Sequence, residues 1–202
     1  MKVVIVDYSM GNITSIIGAL NFIGISDVVV SHEYDVLKSA DKLILPGVGA
    51  FSQAMRIIRE KKLDSYLHDI VMGYKKPILG ICLGMQLMGM SSTEQGSHIG
   101  LGYVNGAVTK LSDRCVKIPH VGINQVIVNN LRLYQGMCGN VDFYFTHSYK
   151  MSCDENINQS ICEYDESFIA SFELGHIAGV QFHPELSQYH GLHLLKNFVE
   201  KF

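Results

Sequence analysis

The segment PILGICLGMQ, residues 77–86, decides the fold class of this chain. Its apolar first part, Pro77 to Ile81, predicts a short buried strand, and a helical pattern begins directly after Cys82. Gly80, Cys82 and Gly84 form G-x-C-x-G at this junction, the thiol counterpart of the G-x-S-x-G nucleophile elbow. A nucleophile on such a strained turn needs residues without side chains two places away on either side, because strand and helix must approach closely.

The junction also favours a reactive thiol. The N-terminus of a helix lowers the pKa of a thiol placed there and supplies backbone N–H donors for a developing negative charge. The pattern alone leaves a second interpretation open, in which Cys82 is an inert buried cysteine among glycines in an apolar segment.

Strands and helices alternate around this segment in the first half of the chain. Apolar runs at residues 2–6, 27–30 and 42–45 predict three more short strands. Helical spacing predicts one helix capped by Asn12 and running to about Gly24, and another from Phe51 to about Met72. This alternation indicates βαβ units and a parallel sheet.

The second half has a different pattern, since alternating apolar residues recur from about Gly102 to Val180 with little helix. A last helix is expected over Leu192 to Phe202. The whole chain, residues 1–202, is therefore predicted to be one three-layer α/β domain with a mostly parallel central sheet and antiparallel strands in its second half. The strands expected in that half are Val116–Ile118, Gln125–Val128, Asp142–Phe145, Phe168–Phe172 and His176–Phe182.

The composition excludes several classes of protein. Of the 202 residues, 48% are hydrophobic and 17% charged, which is unlike a disordered chain. The formal net charge is −3 and basic clusters are missing, so neither nucleic acid nor a membrane surface is the expected partner. The longest apolar stretch, residues 78–90, contains Gln86 and is too short to cross a bilayer.

The cysteine count points to a reducing compartment. Five cysteines, at positions 82, 115, 138, 153 and 162, form no C-x-x-C pair, so neither a disulfide framework nor a zinc ribbon is expected. The N-terminus lacks the pattern of a secretory signal, and a cytoplasmic location follows as the expectation. His190 and His193 have ligand spacing on a helix but lack a third ligand nearby, so we expect no metal and no cofactor.

Two further motifs have the residue types that a nucleophilic cysteine needs. His183-Pro-Glu185 follows an apolar run, where His183 is placed to deprotonate Cys82 and Glu185 to orient the imidazole; a turn with a solvated carboxylate is the alternative. The segment LILPGVGAF, residues 43–51, predicts a strand followed by a nest of backbone N–H groups for an oxyanion. The segment lacks a phosphate-binding signature, and the alternative interpretation is an ordinary glycine-rich turn between strand and helix.

Together, GICLGMQ, PGVG and QFHPE resemble the motifs of class I (triad-type) glutamine amidotransferases, in the order Cys, His, Glu. Over essentially its whole length the chain is similar to the glutaminase subunits of imidazole glycerol phosphate synthases. The softer matches are Asp7-Tyr8 with Gly11-Asn12, Gly100-Leu-Gly102, Pro119-His-Val-Gly122 with Asn124, and Phe143-Tyr-Phe with His147-Ser-Tyr149.

The resemblance implies a function for each matching residue. Cys82 would be the nucleophile, His183 the general base and Glu185 its orienting partner, in an enzyme that hydrolyses L-glutamine and passes ammonia to a (β/α)8-barrel synthase. The oxyanion hole would use Val48, Gly49 and Leu83. The substrate would be held by Gln86, Glu94, His147, Ser148 and Tyr149, and the partner interface would include Asn12, Pro119, His120, Ile123, Asn124 and Leu186.

Two departures bear on the identity of the partner. Ile123 stands where the family typically has Trp, and Leu186 stands where it has Lys. These positions leave open a paralogue that supplies ammonia to a partner modifying a surface-polysaccharide sugar. A cysteine hydrolase acting on other γ-glutamyl compounds and a non-catalytic α/β binding module remain as further alternatives.

Overall fold

The computed structural model of the chain describes residues 1–112, 115–129 and 131–202. Its first half alternates short strands and helices, because apolar runs of four residues are interrupted by amphipathic segments. In chain order the elements are β1 (Val3–Val6), α1 (Ile13–Phe22), β2 (Val28–Ser31), α2 (Tyr34–Lys38), β3 (Lys42–Leu45), α3 (Phe51–Glu60), α4 (Leu63–Leu67), a π-helical turn (His68–Gly73), β4 (Ile78–Ile81) and α5 (Leu83–Leu87).

The second half consists largely of strands. They are β5 (Ser91–Ser92), β6 (His98–Ile99), β7 (Gly106–Lys110), β8 (His120–Ile127), β9 (Val141–His147), β10 (Tyr149–Cys153), β11 (Gln159–Tyr164), β12 (Glu166–Leu174) and β13 (Ile177–Val180), followed by helix α6 (Gln188–Lys201). Short 3-10 turns cover Arg132–Tyr134 and Pro184–Leu186. No helix within the described ranges is long and apolar enough to span a bilayer.

The central sheet has the order β2-β1-β3-β4-β13-β12-β11-β8-β9. The pairings from β2 to β13 are parallel, and those from β13 to β9 are antiparallel. The predicted α/β fold with parallel strands joined to antiparallel strands is therefore confirmed. A second sheet has four strands in the order β10-β7-β5-β6 and was not expected from the sequence.

Helices cover both faces of the parallel half, which explains its continuous apolar strands. Alternate side chains of a strand point to opposite faces. Val4 and Val6 pack in one cluster with side chains of α3 and α4, whereas Val3 and Ile5 pack in another with side chains of α1 and α6. Every residue of β1, β3 and β4 is accordingly buried.

Three local predictions were wrong. The helix predicted from Phe51 to Met72 is interrupted at Lys62, whose φ of 59° is left-handed and ends the regular α-helical hydrogen bonding. Residues 116–118 form no strand, and pairing begins only at His120. Asn12 precedes α1 but makes no capping hydrogen bond with its side chain.

The turn between β4 and α5 depends on a very close backbone approach. A Cβ atom on Gly84 would lie 1.9 Å from the carbonyl oxygen of Leu45, at the end of the neighbouring strand β3. A Cβ on Gly80 would lie 2.7 Å from the amide nitrogen of Met85. Both glycines of the G-x-C-x-G pattern are thus required for packing, as the motif predicts.

We predict that Gly84→Ala lowers the free energy of unfolding by about 3 kcal/mol, because backbone atoms must move to admit the methyl group. Gly18 is the matched control, since it lies in α1 and a methyl group added there would have no atom within 4 Å. Gly18→Ala should instead raise stability by about 0.5–1 kcal/mol. Urea denaturation of both variants measures the difference, and equal stabilities would contradict the close approach.

Candidate active site

Three adjacent parallel strands bring the sequence motifs to one edge of the sheet. Strands β3, β4 and β13 lie side by side, and the segments that follow them contain Pro46–Gly49, Cys82 and His183. The N–H of Cys82 donates to the carbonyl oxygen of Val180 at 2.8 Å, which ties the two strand ends together. Ligands of open α/β sheets bind at the carboxyl ends of the strands, and this edge is such a position.

Cys82 has the strained backbone of a nucleophile elbow. Its φ of 53° and ψ of −111° are unusual for a residue with a side chain. The residue is 6% exposed, and helix α5 begins directly after it. Its Sγ lies 4.0 Å from the carbonyl oxygen of Thr146 and 3.7 Å from Nε2 of Gln181.

His183 and Glu185 form a buried pair beside this thiol. Nδ1 of His183 is 2.8 Å from Oε1 of Glu185, and the two side chains are 4% and 0% exposed. Nε2 of His183 is buried and has no hydrogen-bond partner within the described part of the chain. Burial lowers the pKa of His183, but the Cys82 thiolate and the Glu185 carboxylate outweigh it, so the net shift is upward. The surroundings therefore favour the protonated form of His183.

Asn12 lies behind the same carboxylate rather than at a helix cap. Its Nδ2 donates to Oε1 of Glu185 at 3.5 Å, a long contact. The side chain is therefore aimed at the pair, which explains why it leaves the backbone N–H groups of α1 uncapped.

The loop after β3 is held in place by a hydrogen bond from Tyr8. The hydroxyl of Tyr8 is fully buried and donates to the carbonyl oxygen of Pro46 at 2.6 Å. Burial and the nearby Cys82 both raise the pKa of Tyr8, which keeps the hydroxyl protonated as a donor. Gly49 has a φ of 98°, a conformation that glycine adopts readily, and it lines the same cavity as Cys82.

A cavity of about 350 Å³ opens above Cys82. This volume lies within the range typical of small-molecule sites. Every residue expected to form the oxyanion hole or to bind substrate lines it, and Glu185 lies behind His183. The lining residues are Val48, Gly49, Cys82, Leu83, Gln86, Glu94, Pro119, Thr146, His147, Ser148, Tyr149 and His183.

Two of the expected substrate-binding residues also hold the protein together. Nε2 of Gln86 donates to the carbonyl oxygen of Tyr149 at 2.8 Å and to Oε1 of Gln181 at 2.9 Å. Only the Gln86 carbonyl oxygen therefore remains for a ligand. Oε2 of Glu94 accepts the N–H of Phe51 at 2.8 Å, which leaves its second oxygen for a cationic group.

His147, which lines the cavity, belongs to a chain of hydrogen-bonded side chains. His120 and His147 lie directly opposite each other on β8 and β9, with Nδ1 of His120 3.1 Å from Nε2 of His147. Nε2 of His120 is 3.1 Å from Nδ2 of Asn124, and Nδ1 of His147 is 2.8 Å from the carbonyl oxygen of Tyr149. All three contacts are satisfied when Asn124 donates to His120, His120 to His147, and His147 to Tyr149.

Burial keeps both rings uncharged. It lowers the pKa of His120 to about 4 and, as the largest effect, that of His147 to about 3. A second charge beside His183 is thereby avoided.

The family model for class-I glutamine amidotransferases matches residues 4–202. The chain belongs to this family. Its relatives include three proteins named imidazole glycerol phosphate synthase subunit HisH. The HisH 2 of Vibrio vulnificus (strain YJ016) is 43% identical over 99% of this chain and 94% of its own length. The HisH 1 of Campylobacter jejuni (strain RM1221) is 42% identical, covering 98% of both chains, and the HisH of Aquifex aeolicus (strain VF5) is 44% identical over 100% of this chain and 97% of its own.

Solved structures share the fold of this amidotransferase at low sequence identity. A glutamine amidotransferase crystal structure has a TM-score of 0.76 at 18% identity, covering 98% of this chain and 97% of the other. A structure described as PurLQS from Thermotoga maritima has a TM-score of 0.73 at 18% identity, with the same coverage. At this identity the likeness shows the fold.

The expected partner residues of the amidotransferase divide into a surface set and a buried set. Ile123 is 65% exposed and Leu186 43% exposed, and both border a depression of about 230 Å³ together with Tyr189. His120 is only 2% exposed and stacks on Tyr164, so it supports this face from within rather than offering a contact surface. Pro119 lines the catalytic cavity.

Sequence reasoning missed three residues of the site. Tyr8 appeared in a motif without a role, although it holds the loop at Pro46. Gln181 is the first residue of QFHPE, and that position beside His183 was the available signal. Thr146, whose carbonyl oxygen faces the thiol, contacts it through the backbone and leaves no signature in the sequence.

The neutral histidines predict how stability depends on pH. A lowered folded-state pKa means that His147 binds fewer protons in the folded than in the unfolded protein below about pH 6.5. Its contribution is present above that pH and is lost as the pH falls. His183, with a raised pKa, contributes below about pH 6.5 and loses its contribution as the pH rises.

We therefore expect the unfolding free energy of wild type to fall more steeply between about pH 6.5 and 4.5 than that of His147→Gln, by about 1 kcal/mol per pH unit. Urea denaturation across this range measures both slopes, with the exposed His68→Gln variant as control. Equal slopes in wild type and His147→Gln would contradict a neutral His147.

Proposed function

We propose that this chain is the glutaminase subunit of an imidazole glycerol phosphate synthase and acts in the cytoplasm. It hydrolyses L-glutamine to glutamate and ammonia. The ammonia passes to a (β/α)8-barrel synthase subunit, which forms imidazole glycerol phosphate and AICAR in histidine biosynthesis. The observation that carries this proposal is a cavity lined by Cys82 and His183, with Glu185 paired to His183 behind it, in a chain 42–44% identical to HisH subunits over nearly its full length.

The first half of the reaction forms a thioester. The Cys82 thiolate attacks the side-chain amide carbon of glutamine, and the N–H groups of Leu83 and the Val48–Gly49 segment stabilise the oxyanion. His183 gives its Nε2 proton to the leaving nitrogen as the C–N bond breaks, which releases ammonia. Glu185 accepts the Nδ1–H of His183 and stabilises the imidazolium.

The second half regenerates the site. Neutral His183 takes a proton from water, and the resulting hydroxide attacks the thioester carbon. The C–S bond breaks, glutamate leaves, and Cys82 returns as a thiolate beside an imidazolium.

Electrostatics and shape support glutamine as the substrate. Glu94 has one carboxylate oxygen left for the α-ammonium group, and Ser148 and Tyr149 line the same wall. These polar groups would hold the amino-acid end of the substrate, which other γ-glutamyl compounds share. The intact arrangement of nucleophile, base and orienting carboxylate disfavours a non-catalytic binding module.

A specific observation favours a second candidate for the partner. Ile123, Leu186 and Tyr189 make an exposed apolar patch where the family typically has Trp and Lys at the first two positions. A paralogue with such a surface would supply ammonia to a sugar-modifying partner of a surface-polysaccharide pathway. The glutaminase chemistry is the same in both cases.

Cys82→Ala should reduce glutamine hydrolysis by at least about 10⁴-fold, because the thioester cannot form. Synthesis by the complex from added ammonia should continue, since the variant removes only the nucleophile. Glutamate release and ammonia-dependent synthesis, measured on the same preparation, give the result. Wild-type glutamate release by the variant would remove Cys82 from the mechanism.

The isolated chain should hydrolyse glutamine about 10²–10³-fold more slowly than the complex, the effect of one missing oxyanion donor. A peptide flip at Gly49 is the expected cause, since it exchanges an N–H for a C=O facing the substrate. Because the patch is apolar, partner affinity should also vary little between about 0.05 and 0.5 M salt.

Steady-state kinetics with each candidate synthase and its acceptor test this gating. Full turnover by the chain alone would contradict it. Stimulation by a sugar-modifying synthase but not by the imidazole-forming one would establish the second candidate instead.

A further inference from the structure

Gln181 is a buried polar side chain that the mechanism above does not use. It follows β13 directly and is 0% exposed. Its backbone N–H donates to the carbonyl oxygen of Ala170 on β12 at 2.8 Å, so its position is fixed by the sheet. Its side-chain amide contacts Gln86 on one side and the sulfur of Cys82 on the other.

The orientation of this amide follows from its neighbours. The carbonyl oxygen of Tyr149 can only accept, so the Gln86 atom 2.8 Å from it must be the amide nitrogen. That nitrogen gives its second hydrogen to the Gln181 atom 2.9 Å away, which must then be oxygen. The remaining end of Gln181, which lies 3.7 Å from Sγ of Cys82, is therefore the NH2 group.

Cys82 thus has a different neighbour for each of its protonation states. The thiol has an acceptor, the carbonyl oxygen of Thr146 at 4.0 Å. The thiolate has a donor, Nε2 of Gln181. A hydrogen bond donated to the charged form of a group favours that form, and it is stronger than one between neutral groups.

We propose that Gln181 is a positioning residue whose side-chain amide, oriented by Gln86, donates to Cys82 and favours the thiolate in addition to His183. The inference rests on the proposed function for the identity of the nucleophile. It gives Gln86 a second task besides contact with substrate, which is to hold the donor end of Gln181 toward the sulfur. A structural link between β13 and α5 is the competing explanation for the same hydrogen bond.

Two substitutions separate these explanations. In Gln181→Glu one carboxylate oxygen still accepts from Gln86, but the other places negative charge instead of a donor beside Cys82. In Gln181→Met the side chain has similar length and no donor. Asn197→Asp is the matched control. Asn197 lies in helix α6, does not line the catalytic cavity, and is also a buried amide. Its side chain donates to the carbonyl oxygens of Leu133 and Gln135.

The experiment measures the rate of Cys82 alkylation by iodoacetamide against pH, read by peptide mass spectrometry on the full chain. The other titratable groups around the thiol are His183 with Glu185, His147, Glu94 and Tyr8. They are unchanged in all the variants, so a difference in midpoint reports residue 181.

The alkylation midpoint should rise by about one pH unit in Gln181→Met, a roughly tenfold fall in thiolate at a given pH, and further in Gln181→Glu. Asn197→Asp should keep the wild-type midpoint. With the partner present, kcat for glutamine should fall in Gln181→Met with KM changed less than about twofold, as expected when a chemical step is affected.

An unchanged midpoint in a folded Gln181→Met protein, checked by circular dichroism, would overturn the proposal in favour of the structural link. Should Gln181→Glu fail to fold, Gln181→Met alone decides. A raised midpoint supports the role of Gln181 even when no synthase elicits glutamine hydrolysis, in which case only the proposed function fails.

Discussion

The contact between the β4–α5 turn and the end of β3 is the constraint on which the site depends. Gly84 packs against the carbonyl oxygen of Leu45 with no room for a methyl group, and this proximity brings the loop after β3 beside the thiol. Cys82 takes up the resulting backbone strain at a positive φ. Hydrogen bonding between Cys82 and Val180 then brings the end of β13, with His183 shortly after it, to the other side. The proposed nucleophile, base and oxyanion loop therefore each follow the end of a strand.

Around Cys82, the hydrogen bonds and burial of the three nearby histidines favour a positive charge on His183 alone. His183 is held between a carboxylate and a thiol, whereas His120 and His147 are kept neutral by burial and by their own hydrogen bonds. The fixed donors need little reorientation when charge develops in the reaction. The low polarity of the surroundings also makes each unpaired polar group costly. Nε2 of His183 is such a group, since it has no hydrogen-bond partner among the residues that the structure describes.

The sequence predicted the parts of the fold that arise from local patterns. Buried parallel strands need continuous apolar runs, so β1, β3 and β4 were located to within a residue, and the elbow glycines were assigned their role. The break at Lys62 was missed because it depends on one left-handed residue in an otherwise helical pattern. The second sheet was missed because its strands β5 and β6 have two residues each and little periodicity.

Long-range pairing explains what sequence reasoning could not find in the site. The His120–His147 contact requires the antiparallel register of β8 and β9, and the link from Gln86 to Gln181 joins residues far apart in the chain. The sequence motifs identified most of the residues that line the cavity, but they could not predict which of their atoms form hydrogen bonds. The burial of His120 likewise separates two positions that looked equivalent in one motif, since Ile123 on the same strand is exposed.

The central claim is that Cys82 alone is the nucleophile toward glutamine. The most direct measurement treats the chain, with its synthase partner, with a chloroketone analogue of glutamine and locates the adduct by peptide mass spectrometry. The account predicts modification at Cys82, blocked by excess glutamine, while exposed Cys115 and Cys138 react slowly and without protection. Glutamine-protected modification at any other cysteine, with Cys82 unmodified, would contradict it.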